Sequence, residues 1–150
     1  MDLTDLFSDK YFMKMALQEA EKAMEEGEIP VGAVVVCNNK VIGKGYNQTE
    51  RLCDVTAHAE MIAITAAANF LANKYLNECT IYITLEPCAM CAGALKWSQI
   101  SRVVFGASDP KHGFTTSQTN LLHPKTKVSS GILAAPCEAL IKDFFLRLRE

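Results

Sequence analysis

The sequence is organised around two short stretches, Thr56-Ala57-His58-Ala59-Glu60 and Leu85-Glu86-Pro87-Cys88-Ala89-Met90-Cys91. The first contains the pattern H-x-E and the second the pattern P-C-x-x-C. His58, Cys88 and Cys91 offer one imidazole and two thiolates, which is one ligand fewer than a closed tetrahedral zinc site needs. The fourth position is then free for water, and Glu60 remains as a carboxylate that can move protons. This composition favours a catalytic zinc over a structural one.

Each half of this pattern has a simpler interpretation when it stands alone. A lone histidine near an apolar helix is usually a hydrogen-bonded core residue, and C-x-x-C can be a redox pair or half of a structural zinc site. The spacing makes the joint pattern more specific. Cys88 and Cys91 lie one helical turn apart, so both thiols share a face. His58 and Glu60 diverge in mid-helix, but at a helix N-terminus both can reach a metal beyond its end. The sequence therefore predicts two helix N-termini facing one zinc.

The rest of the chain alternates between helical and strand patterns. Ser8 or Asp9 can cap the first helix, and Gly27 can end it. Asn38-Asn39 predicts a hairpin turn, and Gly43 and Gly45 weaken the second strand of that hairpin, where they can mark a bulge. The helix after residue 56 has little polar face, which predicts burial on all sides. The predicted helices are 10–26, 56 or 57 to 70, 88–97 and 134–149, and the predicted strands are 31–37, 41–46, 80–85, 102–105 and 128–130. The long segment 108–127 is predicted to be a functional loop.

This order of elements predicts an α/β fold with one layered sheet, antiparallel in its first hairpin and parallel later. A chain of 150 residues is the size of one domain, residues 1–150. Its 49% hydrophobic and 21% charged residues are typical of a soluble globular protein. The longest apolar run, residues 29–37, is too short to span a bilayer, and residues 1–9 show no signal-peptide pattern. No membrane association is expected.

Charge and cysteine usage give weaker indications. The net charge of −2 divides into −5 for residues 1–30 and +3 for residues 31–150, so a basic face for a nucleic acid is possible outside the first helix. The acidic run Glu25, Glu26 and Glu28 is interpreted as a solvated face. The four cysteines outside the motif are predicted to be buried free thiols in a reducing cytosol: Cys37, Cys53, Cys79 and Cys137.

The paired motifs resemble the signature of zinc nucleobase deaminases. In that chemistry zinc lowers the pKa of a bound water to about 7, which makes hydroxide available at neutral pH. Glu60 would take the water proton and deliver protons to the ring and to the leaving amine. Hydroxide would attack the amine-bearing ring carbon, and ammonia would leave.

Nearly the whole chain, from about residue 11 to residue 149, resembles the bacterial tRNA-specific adenosine deaminases of the cytidine-deaminase-like superfamily. The zinc motifs indicate only the superfamily, whereas the run at 102–107 with Asp109, Lys111 and Gly113, and the closing D-F-F, resemble the tRNA branch. The similar runs are Ile29-Pro30-Val31-Gly32-Ala33-Val34, Gly45-Tyr46-Asn47, Ala57-His58-Ala59-Glu60, Thr84-Leu85-Glu86-Pro87-Cys88-Ala89-Met90-Cys91-Ala92-Gly93-Ala94, Arg102-Val103-Val104-Phe105-Gly106-Ala107 and Asp143-Phe144-Phe145.

This resemblance implies a three-layer α/β/α sandwich with a mixed central sheet of about five strands. It also implies a cytoplasmic homodimer that converts adenosine to inosine at the wobble position of a tRNA anticodon. One zinc ion per chain would be held by His58, Cys88 and Cys91, with Glu60 as the proton shuttle. The implied substrate contacts are Asn47 to the flipped nucleotide, and Asp109, Lys111, Phe144 and Phe145 to the anticodon loop.

Other interpretations remain open at the level of sequence. Asn47 can equally be a strand-end turn residue, and the loop charges and closing phenylalanines can serve solvation and packing. His112 and Phe114 are bulkier than the small residues usual at these positions of the family, and Arg147 and Arg149 are the last basic residues. The zinc chemistry equally permits a deaminase of a free base or nucleoside, of the guanine or cytosine type. A non-catalytic zinc-stabilised RNA-binding or scaffold module is the third possibility, and Glu60 argues against it.

Overall fold

A mixed sheet lies between two helical layers in the computed structural model, which describes residues 5–149. Within these residues the strand order is β2-β1-β3-β4-β5, with β1 antiparallel to β2 and β3, and with β3, β4 and β5 parallel. Residues 1–4 and 150 of the predicted domain lie outside the described part. The strands are β1 Gly32–Cys37, β2 Lys40–Tyr46, β3 Cys79–Leu85, β4 Arg102–Ala107 and β5 Lys127–Ser130; the helices are α1 Asp9–Glu25, α2 Ala59–Leu71, α3 Ala89–Ser98 and α4 Ala134–Leu148.

Helix α1 has the boundaries that its capping residues predict. The Ser8 side chain accepts a hydrogen bond from the Tyr11 amide at 3.1 Å, which satisfies one free donor of the first turn. Gly27 follows the helix with φ at +77°, a backbone conformation that favours glycine. Phe12 and Met13 are among the residues that α1 buries against the sheet.

The two faces of the sheet carry separate hydrophobic cores, which confirms the three-layer α/β/α prediction. Ala33 and Val35 of β1 belong to the core beneath α2 and α3, whereas Val34 and Val36 belong to the core beneath α1 and α4. Alternate strand residues face opposite sides, so β1 is buried on both faces, as its continuous apolar sequence predicts.

The β1–β2 hairpin positions α2. Asn38 and Asn39 both have positive φ, as a tight hairpin turn requires. The register shifts between Val35 and Val36 and leaves Ile42 unpaired, which confirms a bulge in β2 next to Gly43. A Cβ atom at Gly43 would lie 2.5 Å from the Ala63 carbonyl oxygen. Glycine is therefore needed because the α2 backbone lies almost directly on β2.

Helix α2 departs from two predictions. It begins at Ala59 rather than at residue 56 or 57, because the Asp54 side chain accepts hydrogen bonds from the Thr56 amide and hydroxyl and holds that segment in a turn. It is also not buried on all sides. Small residues such as Ala63 pack on the sheet, while Phe70 is 56% exposed at the outer end. The outward face of α2 is apolar without being covered by the described residues.

The prediction that four cysteines are buried holds for two of them. Burial raises the pKa of Cys79 to about 12 and that of Cys137 to about 11, so both are inert thiols. Cys37 is only half-buried, and Cys53 is exposed because it lies in the surface loop after β2. Among residues 5–149, no helix combines the length and apolar character needed to cross a bilayer.

Candidate active site

Three potential metal ligands meet where two helices begin. His58 is the N-cap residue of α2 and Cys88 is the N-cap residue of α3, and Cys91 follows in the first turn of α3. The His58 Nδ1 atom lies 3.7 Å from the Cys88 sulfur and 3.5 Å from the Cys91 sulfur. All three ligand atoms lie within 4.8 Å of one another. The two helix N-termini therefore face one point, as the motif spacing predicts.

The three side chains fit a tetrahedral zinc ion. A nitrogen and a sulfur bound to one zinc at about 2.0 and 2.3 Å lie about 3.5 Å apart at the tetrahedral angle, and the observed separations agree. Hydrogen bonds from Cys91 and His58 lower the pKa of Cys88 to about 3. The hydrogen bond with Cys88, together with burial, raises the pKa of Cys91. The two sulfurs thus compete for one negative charge, and a divalent cation would let both ionise.

Glu60 lies beside this cluster in the first turn of α2. Its side chain is only 4% exposed, and burial raises the pKa of its carboxyl group. Among the described residues, the group of candidate ligand atoms does not include Glu60. A buried carboxylate next to a metal site, without being a ligand, is suited to proton transfer.

The cluster opens into a cleft of about 400 Å³, which is large enough for a small-molecule or nucleotide ligand. One wall comes from the segment before β1 and the loop after β2, and the other comes from the end of β3 and the loop after β4. The lining residues are Ile29, Val31, Asn47, Thr49, His58, Ala59, Glu60, Leu85, Glu86, Cys88, Asp109 and His112.

Comparison with known proteins identifies the family. A family model described as the cytidine and deoxycytidylate deaminase zinc-binding region matches residues 7–107. The chain belongs to this deaminase family. A relative named tRNA-specific adenosine deaminase, from Aquifex aeolicus (strain VF5), is 50% identical over 117 residues, which cover 78% of each chain. The protein of the same name from Bacillus subtilis (strain 168) is 43% identical over 147 residues, covering 95% of this chain and 91% of the relative. The resemblance predicted from sequence is thereby confirmed.

Solved structures of deaminases share this fold. A chain from a study of A-to-I editing by tRNA:A34 deaminases at the wobble position of transfer RNA has a TM-score of 0.81 and 40% identity, covering 87% of this chain and 98% of that one. Guanine deaminase from Bacillus subtilis has a TM-score of 0.63 and 37% identity, covering 66% of this chain and 64% of that one. The chain is thus a zinc-dependent deaminase, in which His58, Cys88 and Cys91 are positioned to hold the metal.

Asn47 has features of both interpretations weighed from the sequence. Its Oδ1 atom accepts a hydrogen bond from the Thr49 amide at 3.3 Å, which is the role of a turn residue. Its Nδ2 atom donates to the Ile29 carbonyl at 3.2 Å, and the side chain also lines the deaminase cleft. Because Asn47 is only 7% exposed, these bonds hold its amide in one orientation at the cleft wall.

Asp109 lines the opposite wall, whereas the other predicted RNA contacts lie outside the cleft lining. The Asp109 Oδ1 atom accepts hydrogen bonds from the Lys111 and His112 amides at 3.2 and 3.0 Å, which fixes the turn after β4. The Lys111 side chain is exposed. On α4, Phe144 is 8% exposed and Phe145 is 41% exposed, with their rings in an edge-to-face contact at 5.3 Å.

Two buried acids, of which one lines the cleft, are not identified as such from sequence. The prediction that Glu28 belongs to a solvated acidic face is wrong, because this residue is 1% exposed and its carboxylate accepts hydrogen bonds from the Glu50 and Arg51 amides at 3.0 and 2.8 Å. Glu86 is 5% exposed and lines the cleft. The only signal for Glu86 is its position directly before Pro87 in the zinc motif.

Proposed function

We propose that the chain catalyses the hydrolytic deamination of adenosine to inosine at the wobble position of a tRNA anticodon. The observation that carries the proposal is the buried Glu60 beside the His58, Cys88 and Cys91 cluster, at the base of a cleft that opens to the surface. The similarity to proteins named tRNA-specific adenosine deaminase supports the choice of substrate. In this proposal residues 1–150 act as a single zinc-dependent deaminase domain.

Glu60 carries the proton transfers in the proposed reaction. When bound, zinc supplies a Lewis acid that makes a water molecule nucleophilic at neutral pH. Glu60 accepts the proton of that water and returns protons to the ring nitrogen and the departing amine. A C–O bond forms at C6 of adenine, the C6–N bond breaks, and ammonia leaves. Ile29, Val31 and Leu85 give the cleft apolar walls that limit the access of other water.

The proposed substrate is a base that has left its stack. Deaminases of this type cannot reach an amine inside a helix, so the nucleotide must be extruded or already single-stranded. An anticodon loop presents such bases, together with flanking phosphates. Asn47 and Asp109 line opposite walls of the cleft. In this proposal they orient the base and its ribose by hydrogen bonds.

Side chains outside the cleft lining supply the proposed contacts to the rest of the anticodon loop. Lys111 is exposed next to Asp109, and Arg149 is exposed at the end of α4. Phe145 has enough exposed ring to stack on a base, and the buried Phe144 supports it through the edge-to-face contact. Binding through such cations is largely electrostatic, so the affinity for tRNA should fall as salt rises.

We further propose a cytoplasmic homodimer. Several of the exposed large apolar side chains lie on α2, on α3 and in the loop after β2, and exposed apolar surface commonly marks a protein interface. They are Phe70 and Leu71, Met90 and Trp97, and Leu52 and Val55, with exposed fractions between 36% and 83%. Sedimentation of the protein and of a Trp97→Glu variant tests this assembly, since a monomeric parent would reject it.

Incubation of the zinc-loaded protein with bulk tRNA, followed by sequencing for inosine, tests the function. We expect inosine at anticodon position 34 with the parent and none with Glu60→Gln. Ammonia release from free guanine without any inosine in tRNA would replace this proposal by the guanine-deaminase alternative. That alternative has a specific observation in its favour, the 37% identity to the Bacillus subtilis guanine deaminase.

A charge reversal separates RNA binding from chemistry. The double variant Lys111→Glu/Arg149→Glu should weaken tRNA binding. The slope of the logarithm of the binding constant against the logarithm of the salt concentration should become less negative by about 0.7 for each lost phosphate contact. The matched control reverses Lys10 and Lys14, two exposed cations of α1 that do not line the cleft. Equal tRNA affinity and salt dependence in the two double variants would reject the assignment of Lys111.

A further inference from the structure

Glu86 holds the loop that follows β4. The residue directly follows β3, and both of its carboxylate oxygens are engaged by that loop. Oε1 accepts a hydrogen bond from the Asp109 amide at 3.0 Å. Oε2 accepts from the Thr115 amide at 3.0 Å and from the Thr115 hydroxyl at 2.6 Å. One side chain therefore fixes the loop at two points that lie six residues apart.

The loop is shaped to fit this carboxylate. A Cβ atom at Gly113 would lie 2.1 Å from Glu86 Oε2, so only glycine lets the loop backbone approach this closely. Gly113 also forms an isolated antiparallel bridge with Cys88, and the Phe114 amide donates to the Pro87 carbonyl at 2.9 Å. The loop thus lies directly on the backbone of a metal ligand.

The partners of Glu86 indicate a positioning role. Among residues 5–149 no ion pair involves Glu86, so its burial is compensated by hydrogen bonds alone. A buried carboxylate of this kind contributes little net stability compared with an apolar residue of similar size. Both oxygens accept hydrogen bonds from the loop, which indicates that Glu86 holds the loop in place.

The opposite wall of the cleft has the same construction. Glu28, also buried, accepts hydrogen bonds from the Glu50 and Arg51 amides, and that loop carries Asn47 and Thr49 to the cleft. Two buried carboxylates, on two unrelated segments, each hold one wall through backbone amides. Because the same arrangement occurs twice, we infer that these acids stabilise the walls of the cleft rather than the sheet.

We propose that Glu86 is a positioning residue that fixes Asp109 and His112 at the cleft, so that the mouth is preformed for the nucleotide. The proposal rests on the proposed RNA substrate. His112 lines the cleft. The hydrogen bonds from the Asp109 and Thr115 amides to Glu86 flank His112 in the sequence, so they fix the position of its imidazole ring. The effect of Glu86 is therefore on substrate binding and not on the chemical step.

Glu86→Gln is the first test, in the zinc-loaded full-length protein. A glutamine presents one acceptor oxygen and one amino group, so it cannot accept from both the Asp109 and the Thr115 amides. Loss of a hydrogen bond to a charged group corresponds to about a tenfold change in an equilibrium constant. We expect KM for an anticodon stem-loop RNA to rise about tenfold, with kcat within about twofold of the parent and zinc content unchanged.

Gly113→Ala tests the same contact from the other partner. It should raise KM in the same way, and the double variant should resemble the more severe single variant, because both disturb one interaction. Thr115→Val removes only the hydrogen bond from the Thr115 hydroxyl to Glu86. It is the milder substitution to use if Glu86→Gln or Gly113→Ala folds poorly. Ser98→Ala is the matched control, since it deletes a buried hydrogen bond of 2.7 Å to Leu95 away from the cleft and should leave KM unchanged.

The outcomes separate this inference from the proposed function. An unchanged KM in Glu86→Gln, or a fall in kcat alone, would overturn the positioning role. Amide hydrogen exchange supplies a readout without substrate: residues 109–115 should exchange faster in Glu86→Gln and not in Ser98→Ala. If the parent makes no inosine, the proposed function fails, and the exchange result alone decides whether Glu86 holds the loop.

Discussion

Gly45→Ala tests whether the close contact of α2 with β2 sets the geometry of the active site. An added Cβ atom would lie 2.3 Å from the Ala59 carbonyl oxygen and 2.8 Å from the Ala63 nitrogen. Ordinary contact begins at 3.4 Å. The first turn of α2 must therefore move outward by about 1 Å to admit the methyl group.

The displaced turn is the one that carries Glu60 and follows His58. A misplacement of about 1 Å in a catalytic group can cost about 10²-fold in rate. Overpacking of this kind destabilises a protein by about 1–3 kcal/mol, and each kcal/mol lowers the Tm of a chain of this length by about 2–4 °C. We expect a folded variant with a modestly lower Tm and a loss of about 100-fold in kcat/KM.

Thermal unfolding by circular dichroism and deamination of an anticodon stem-loop RNA measure the two effects. Gly93→Ala is the matched control, because an added Cβ there meets nothing within 4 Å in this chain and the residue lies inside α3. Since residue 93 shares a helix face with Met90 and Trp97, sedimentation must show that this variant keeps the assembly of the parent. Alanine should stabilise that helix by about 0.5–1 kcal/mol and leave the rate unchanged. A Gly45→Ala protein with parental kcat/KM would refute the link between β2 and the site.

Four further substitutions test the site and the fold. Glu60→Ala should lower the deamination rate by at least about 10²-fold and keep its zinc, and metal analysis showing zinc loss would contradict its assignment as a non-ligand. Cys88→Ala and Cys91→Ala should each lose both zinc and activity, so full zinc occupancy in either variant would reject the ligand set. Asp9→Asn should reduce stability at neutral pH by about 1–3 kcal/mol, because the Asp9 carboxylate accepts two bonds of 2.7 Å from Arg102. Since Arg102 lowers the pKa of Asp9 below 3.8, this stabilisation is present above pH 3.8 and is lost as the pH falls further, so denaturation curves of parent and variant should converge in acid and not at high pH.

The parts of the fold that were predicted correctly depend on local patterns. The ends of α1 follow from the local chemistry of Ser8 and Gly27, and the Asn38-Asn39 turn has its own chemistry. The ligand cluster was predictable for the same reason, since each half of the zinc motif spans only a few residues. Helix starts were less accurate, because the side chain of Asp54, outside the helix, decides where α2 begins.

The buried acids could not be predicted because their partners are distant in sequence. Glu86 bonds to amides 23 and 29 residues later, and Glu28 bonds to amides 22 and 23 residues later. An acid that accepts hydrogen bonds from amides far away in the sequence has the same neighbouring residues in the chain as an acid exposed to solvent. The exposed face of α2 was not predicted for a related reason. The sequence shows that its residues are apolar, but it does not show which other residues pack against them.

His58 and Cys88 occupy the N-cap positions of α2 and α3, where the residues that the metal site needs differ from those that would stabilise the helices best. Neither side chain makes a capping hydrogen bond to its own helix, at the one position where serine, threonine, aspartate or asparagine would stabilise a helix by about 0.5–2 kcal/mol. Selection for thermal stability alone would replace these two residues early. Because the metal site needs both residues, α2 and α3 begin without a capping side chain, and a stabilised version of this enzyme must gain its stability elsewhere in the chain.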